Sequence, residues 1–240
     1  EAKKPFSNNP LGNFIRHDAI EILRKESSIS DAYKITGSSG KGNWAEIPWI
    51  CVFDKEITVS AQHGYYIVYL FDSAMNTVSL SLALGWTQFQ DEFGVKEGRK
   101  EIRKKSLFLQ KYLIGRGFSK EPLVLDATRT LGKGYELGCV LKKTYNAGTL
   151  PSNAVLINDL RDLISVYGEL KHYVGEDILF AEMEFDRDEY EIEEEVQTGL
   201  DQGTVSKPSG NAKPKKKLVA GVSGYGRDLQ VKLFILQEAN

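Results

Sequence analysis

Three short apolar runs constrain what this chain can fold into: Ile47–Phe53, Tyr65–Phe71 and the stretch from Val78 to Leu84. Each has the length and the β-branched and aromatic content of a strand, and each is bounded by polar or turn-forming residues. In the third, Val78, Leu80, Leu82 and Leu84 alternate with Ser79, Ser81 and Ala83, the period of a half-buried strand. Asp72–Asn76, between the second and third runs, suits a hairpin loop. Helical spacing surrounds these strands. Asn9 before Pro10 is a good helix start, and Leu11, Phe14, Ile15, Ala19, Ile22 and Leu23 recur at helical spacing to about Glu26. The pattern predicts a basic helix over Lys96–Leu113 and a long helix from Ser152 to His172. Leu123–Leu125 and Tyr135–Leu141 read as two further strands, joined by the loop Gly132-Lys133-Gly134. The expected fold class is α+β, a central and mostly antiparallel sheet flanked by helices. No internal repeat is visible.

A chain of 240 residues suits one large or two small domains. Its 41% hydrophobic and 27% charged residues exclude global disorder. The apolar runs fall far below the roughly 18 residues that span a bilayer, so no membrane partner is expected. No secretory signal is visible at the start, and Glu1 in place of Met leaves room for an upstream piece. Cys51 and Cys139 sit among apolar strand residues and read as reduced core thiols, which points to a reducing, cytoplasmic setting.

The formal net charge of −2 hides an asymmetry. Lys96–Lys120 holds nine basic residues against two acidic ones, and Glu176–Glu195 holds eleven carboxylates against Arg187 alone. Lys100, Lys104 and Lys105 lie within the basic set, which is either a solvated helix face or an attraction for polyanions. The acidic stretch reads as a linker or a solubilising flank. Thr198–Lys217 has linker composition. Beyond it, Arg227–Ala239 resumes a helical pattern that runs to the end of the chain. The expected organisation is a domain over 1–175, an acidic segment and linker over 176–217, and the start of a truncated domain over 218–240.

The most distinctive stretch is Gly40-Lys41-Gly42-Asn43-Trp44-Ala45-Glu46-Ile47-Pro48-Trp49-Ile50. It reads as a glycine-rich loop, an aromatic, and a strand opened by proline, which is tolerated at a strand's first residue. No Gly-Lys-Ser/Thr follows, so it is not a nucleotide-binding P-loop. Lys41, Gly42 and Asn43 beside Trp44 and Trp49 combine a phosphate contact with stacking faces, and stacking is worth ~1–3 kcal/mol per base. The alternative is that both tryptophans pack the core.

Gly40–Ile50, followed by His63–Phe71 and Val78–Leu82, resembles the N-terminal DNA-binding module of McrB-type restriction proteins. The likeness continues through Leu131-Gly132-Lys133-Gly134-Tyr135 and the Leu156–Tyr167 helix, covering roughly residues 11–175. The resemblance implies binding of double-stranded DNA that carries a modified cytosine such as 5-methylcytosine, with the modified base flipped into a pocket. It implies pocket roles for Trp49 and Leu70 and a loop role for Asn43. Two positions depart from the pattern: Lys41 and Leu131 stand where tyrosines occur in a well-known member. A pocket with fewer rings would admit a bulkier cytosine substituent, and Lys41 would contact phosphate instead. The expected site is therefore a base pocket of Trp49, Leu70, Leu131, Asn43 and Trp44. Lys41, Gly42, Lys133, Lys100, Lys104 and Lys105 are the expected DNA contacts.

The end of the chain, from Lys215-Lys216-Lys217 through Gly224-Tyr225-Gly226-Arg227-Asp228, resembles the lead-in to an HNH nuclease domain. That likeness implies phage defence by a restriction endonuclease whose divalent metal, catalytic residues and homodimer contacts lie downstream. His17, His63 and His172 have no partner at metal-ligand spacing, so no catalytic residue, cofactor or metal site is expected within these residues. Two rival functions stay open. One is a metal-dependent nuclease using Asp126, Glu136 and Lys142; the other is a non-catalytic protein-interaction domain.

Overall fold

The computed structural model describes Phe6 and residues 9–174 of the chain. Five strands, β1 (Tyr33–Ser38), β2 (Trp49–Asp54), β3 (Tyr65–Phe71), β4 (Thr77–Leu84) and β5 (Cys139–Asn146), form one sheet in the order of the chain. Every neighbouring pair is antiparallel. Helix α1 covers residues 10–27 as an α-turn (Pro10–Asn13), a π-helical turn (Phe14–Asp18) and an α-helix (Ala19–Ser27). Helices α2 (Trp86–Tyr112), α3 (Thr130–Leu137) and α4 (Asn153–Val174) complete an α+β fold. Among the described residues no helix is long and apolar enough to cross a membrane.

β3 fixes the layering. All seven of its residues are buried, so both faces of the sheet need cover. On one face Tyr65 meets Tyr167 of α4 edge-on, with ring centroids 5.5 Å apart. The Tyr167 hydroxyl donates to the Tyr65 carbonyl at 2.8 Å and accepts from the Asp54 amide at 3.2 Å. α1 packs against β1 and α4. On the other face Phe53, Tyr66 and Val68 pack beneath Leu123, Leu125, Ala127 and Tyr135. The serine side of β4 is therefore covered as well: Ser79 and Ser81 are buried, and the strand expected to be half-buried has two dry faces. Ser79 shares a 2.8 Å hydrogen bond with Thr144 of β5.

Several expectations need correction. β1 escaped sequence reading because Ile35 is its single buried residue, so this edge strand carries no alternation signal. The basic helix begins ten residues earlier than expected, and Gly94 (φ 75°) breaks its regularity. Tyr135–Leu141 is not a strand, and Gly132-Lys133-Gly134 is not a loop: Thr130–Leu137 is helical and β5 starts at Cys139. The glycines are there for close approach. A Cβ on Gly132 would lie 2.5 Å from that of Ala127, and one on Gly134 would lie 2.2 Å from the Trp86 ring. Leu123–Leu125 forms no strand; the Leu125 carbonyl accepts from the Ser73 amide at 2.9 Å. The acidic segment, the linker and the Arg227–Ala239 helix expected from the sequence lie outside the described residues.

Tyr167→Phe removes a hydroxyl that serves two buried backbone groups at once. It should lower unfolding stability by ~1–3 kcal/mol. Urea denaturation at an unchanged m-value checks this.

Candidate functional site

The pleat of β2 and β3 places Trp49 opposite Leu70 and Cys51 opposite Val68, all on the face that α3 covers. These four residues, with Tyr66, Ala83 of β4, Ala61 of the β2–β3 loop and Tyr135 of α3, line a cavity. Three rings thus meet there, from Trp49, Tyr66 and Tyr135. The Trp49 and Tyr135 side chains both border this cavity, and the Tyr66 hydroxyl donates to the Ala61 carbonyl at 2.7 Å. Burial pushes both tyrosine pKa values up, so both phenols stay neutral at physiological pH. The cavity volume open to water centres is about 10 Å³, room for about one water.

The residues leading into β2 form the rim. Gly40 has φ 117°, and a Cβ there would lie 2.0 Å from the Asn43 carbonyl oxygen, so only glycine makes this turn. Lys41, Gly42 and Asn43 project into solvent at its tip. Trp44 turns away from the cavity and meets Phe6 edge-on at 5.3 Å, with Arg16 over the other ring partner at 5.4 Å from the Phe6 centroid. Glu46 reaches across to α3: its carboxylate accepts from the Thr128 amide (2.7 Å), the Thr128 hydroxyl (2.5 Å) and the Arg129 amide (3.1 Å). Arg129, the N-cap of α3, makes no side-chain cap bond, and a carboxylate 82 residues from Thr128 in the chain holds the two residues that lead into the helix. Partial burial raises the Glu46 pKa, but the bonds from Thr128 and Arg129 outweigh it and hold the carboxyl below its usual value.

The structure brings together Trp49 and Leu70 but not the rest of the expected pocket. Leu131 is 49% exposed and is not among the residues bordering this cavity, whereas Tyr135, one helical turn on, is. Reading 130–137 as a helix would have found Tyr135. Asn43 and Trp44 sit on the rim side. Lys133 pairs with Glu136 at 2.8 Å. Lys100 lies 3.6 Å from Glu97, Lys104 is half-buried, and Lys105 is only 7% exposed, so Lys105 does not share an open basic face with them. Glu136 accepts the Leu125 amide at 2.9 Å and the Ala127 amide at 3.4 Å, a structural use that gives the Asp126, Glu136 and Lys142 set no geometric support. Among the described residues, no group of three or more His, Cys, Asp or Glu is placed to hold a metal ion.

Glu46 makes stability pH-dependent in a definite direction. Its carboxyl is depressed in the folded state, so its contribution is present above the usual carboxylate range and is lost as pH falls through the lowered value. Glu46→Gln should therefore melt lower than wild type at neutral pH, and the gap should narrow toward about pH 3. Thermal melts of both proteins across that range are the check.

Residues 1–172 match the family described as MrcB-like, N-terminal domain. A comparison with curated proteins gives no match. The matched segment takes in every strand among the described residues, the rim loop, α3 and nearly all of α4, and the chain belongs to the MrcB-like N-terminal domain family, a restriction-related family.

Proposed function

We propose that this domain is the recognition half of a modification-dependent restriction endonuclease, binding duplex DNA and taking a flipped modified cytosine into the cavity between Trp49 and Tyr135. The observation that carries the reading is the convergence of three rings on one cavity whose rim holds the solvent-facing Lys41, Gly42 and Asn43. Tyr66 and Tyr135 supply stacking faces in a family pocket that lacks tyrosine at positions 41 and 131. Flipping costs a few kcal/mol, which stacking at ~1–3 kcal/mol per base and phosphate attraction offset. Leu131, exposed one turn above Tyr135, and Lys133 lie on the helix that closes the cavity.

No strand cleavage is assigned to residues 1–175. Their role is binding, and cutting belongs to a downstream domain with its own divalent metal. A cytoplasmic setting and dimerisation through that downstream part belong to the same reading.

Trp49→Ala should weaken binding to modified duplex by about ten-fold or more and leave unmodified duplex nearly untouched. Titrations of both duplexes at one salt concentration measure this; equal losses on both, with a lowered melting temperature, would make Trp49 a core residue only. Lys100→Gln with Lys104→Gln should flatten the slope of log affinity against log salt by up to about 2. An unchanged slope would assign that part of α2 to other work.

A further inference from the structure

A cavity with room for about one water cannot hold a heterocyclic base as it stands. One wall has to give. The sheet wall comes from β2, β3 and β4, and each of these has a hydrogen-bonded strand on both sides, so moving it would break ladders. Ala61 of the β2–β3 loop is held to the sheet by the Tyr66 hydroxyl at 2.7 Å, and the remaining wall is Tyr135, on a helix of eight residues.

The two ends of that helix are held differently. At its C-terminal end the Gly138 carbonyl accepts from the Leu84 amide at 2.9 Å, the Ser106 hydroxyl donates to the Leu137 carbonyl at 3.0 Å, and Gly134 sits directly on Trp86. These contacts seat the end on β4 and α2. At its N-terminal end the amides of the two residues that lead into the helix, Thr128 and the N-cap Arg129, go to Glu46, three residues before Trp49. The chain entering the helix is thus tied to the residues entering β2 only while the two walls are together, and by charge-assisted bonds, the stronger kind.

We propose that Glu46 is a positioning residue that sets the width of the cavity: its carboxylate latches the start of α3 to the residues entering β2, and release of that latch lets α3 swing out about its seated C-terminal end. The identity of the ligand rests on the base-pocket reading, but the latch does not.

The two thiols report on it separately. Cys51 lines the cavity, while Cys139 belongs to the same core cluster without lining the cavity; both are buried. The full chain is treated under native conditions with N-ethylmaleimide, and the modification of each cysteine is followed by mass spectrometry of its peptide. Glu46→Ala should speed labelling of Cys51 by about ten-fold or more and leave Cys139 at the wild-type rate. Thr128→Val, which keeps the carboxylate and its amide partners, should give a smaller gain of the same kind and serves if Glu46→Ala does not fold. Equal acceleration at both thiols would mean that Glu46 supports the whole fold, and an unchanged Cys51 rate would mean that this helix end is no gate; either result overturns the proposal. The same variants are then titrated with modified and unmodified duplex. Faster Cys51 labelling with discrimination between the duplexes unchanged would keep the latch and overturn only the base-pocket reading.

Discussion

Seven consecutive buried residues in the middle strand set the terms for everything around them. A strand dry on both faces needs a layer on each side, and the two layers here differ in kind. α4 covers its side with one long helix whose Tyr167 ties Tyr65 to Asp54 through a single hydroxyl. The other side is covered by the irregular segment around Leu123–Ala127 and by the short α3. A short helix fills a sheet face less completely than a long one, and the gap it leaves is the cavity of Trp49, Tyr66 and Tyr135.

Close approach makes that arrangement workable. α3 comes so near its neighbours that side chains at Gly132 and Gly134 would collide with Ala127 and Trp86. The same proximity lets one carboxylate, Glu46, hold the Thr128 and Arg129 amides just before the helix. Glu136 does the equivalent for Leu125 and Ala127, so the segment before α3 is also held by a side chain rather than a ladder. The wall opposite the sheet is accordingly built from contacts that can be exchanged one at a time, whereas the sheet wall is cooperative.

Much of this was legible in the sequence. The three dense apolar runs are β2, β3 and β4, and the first and last helices of the domain lie where the helical spacing puts them, because burial writes itself into periodicity. The Asp72–Asn76 turn is legible on a different ground: Asp72 accepts from the Asn76 and Thr77 amides at 2.7 and 3.1 Å, work that an aspartate at a turn's start is suited to. Edge strand β1 was missed because its pleat buries almost nothing. The segment 130–137 was misread because glycine signals both a loop and a tight helix packing, and only the neighbours decide which. The same ambiguity reaches the site: Leu131 is expected there from the sequence, whereas Tyr135 is the residue of this helix that borders the cavity. Glu46 had no signal at all, since its partners lie more than eighty residues away.

The functional reading stands on the pairing of an aromatic cavity with family membership, and its central claim is discrimination by the cavity rather than affinity for DNA as such. Phosphate attraction alone binds all duplexes alike. The most direct test measures affinity at matched salt for four duplexes that differ in one base: cytosine, methylcytosine, hydroxymethylcytosine and glucosylated cytosine. At least one modified base should bind about ten-fold or more tighter than plain cytosine; equal affinity across all four would contradict the assignment of the cavity to a flipped base.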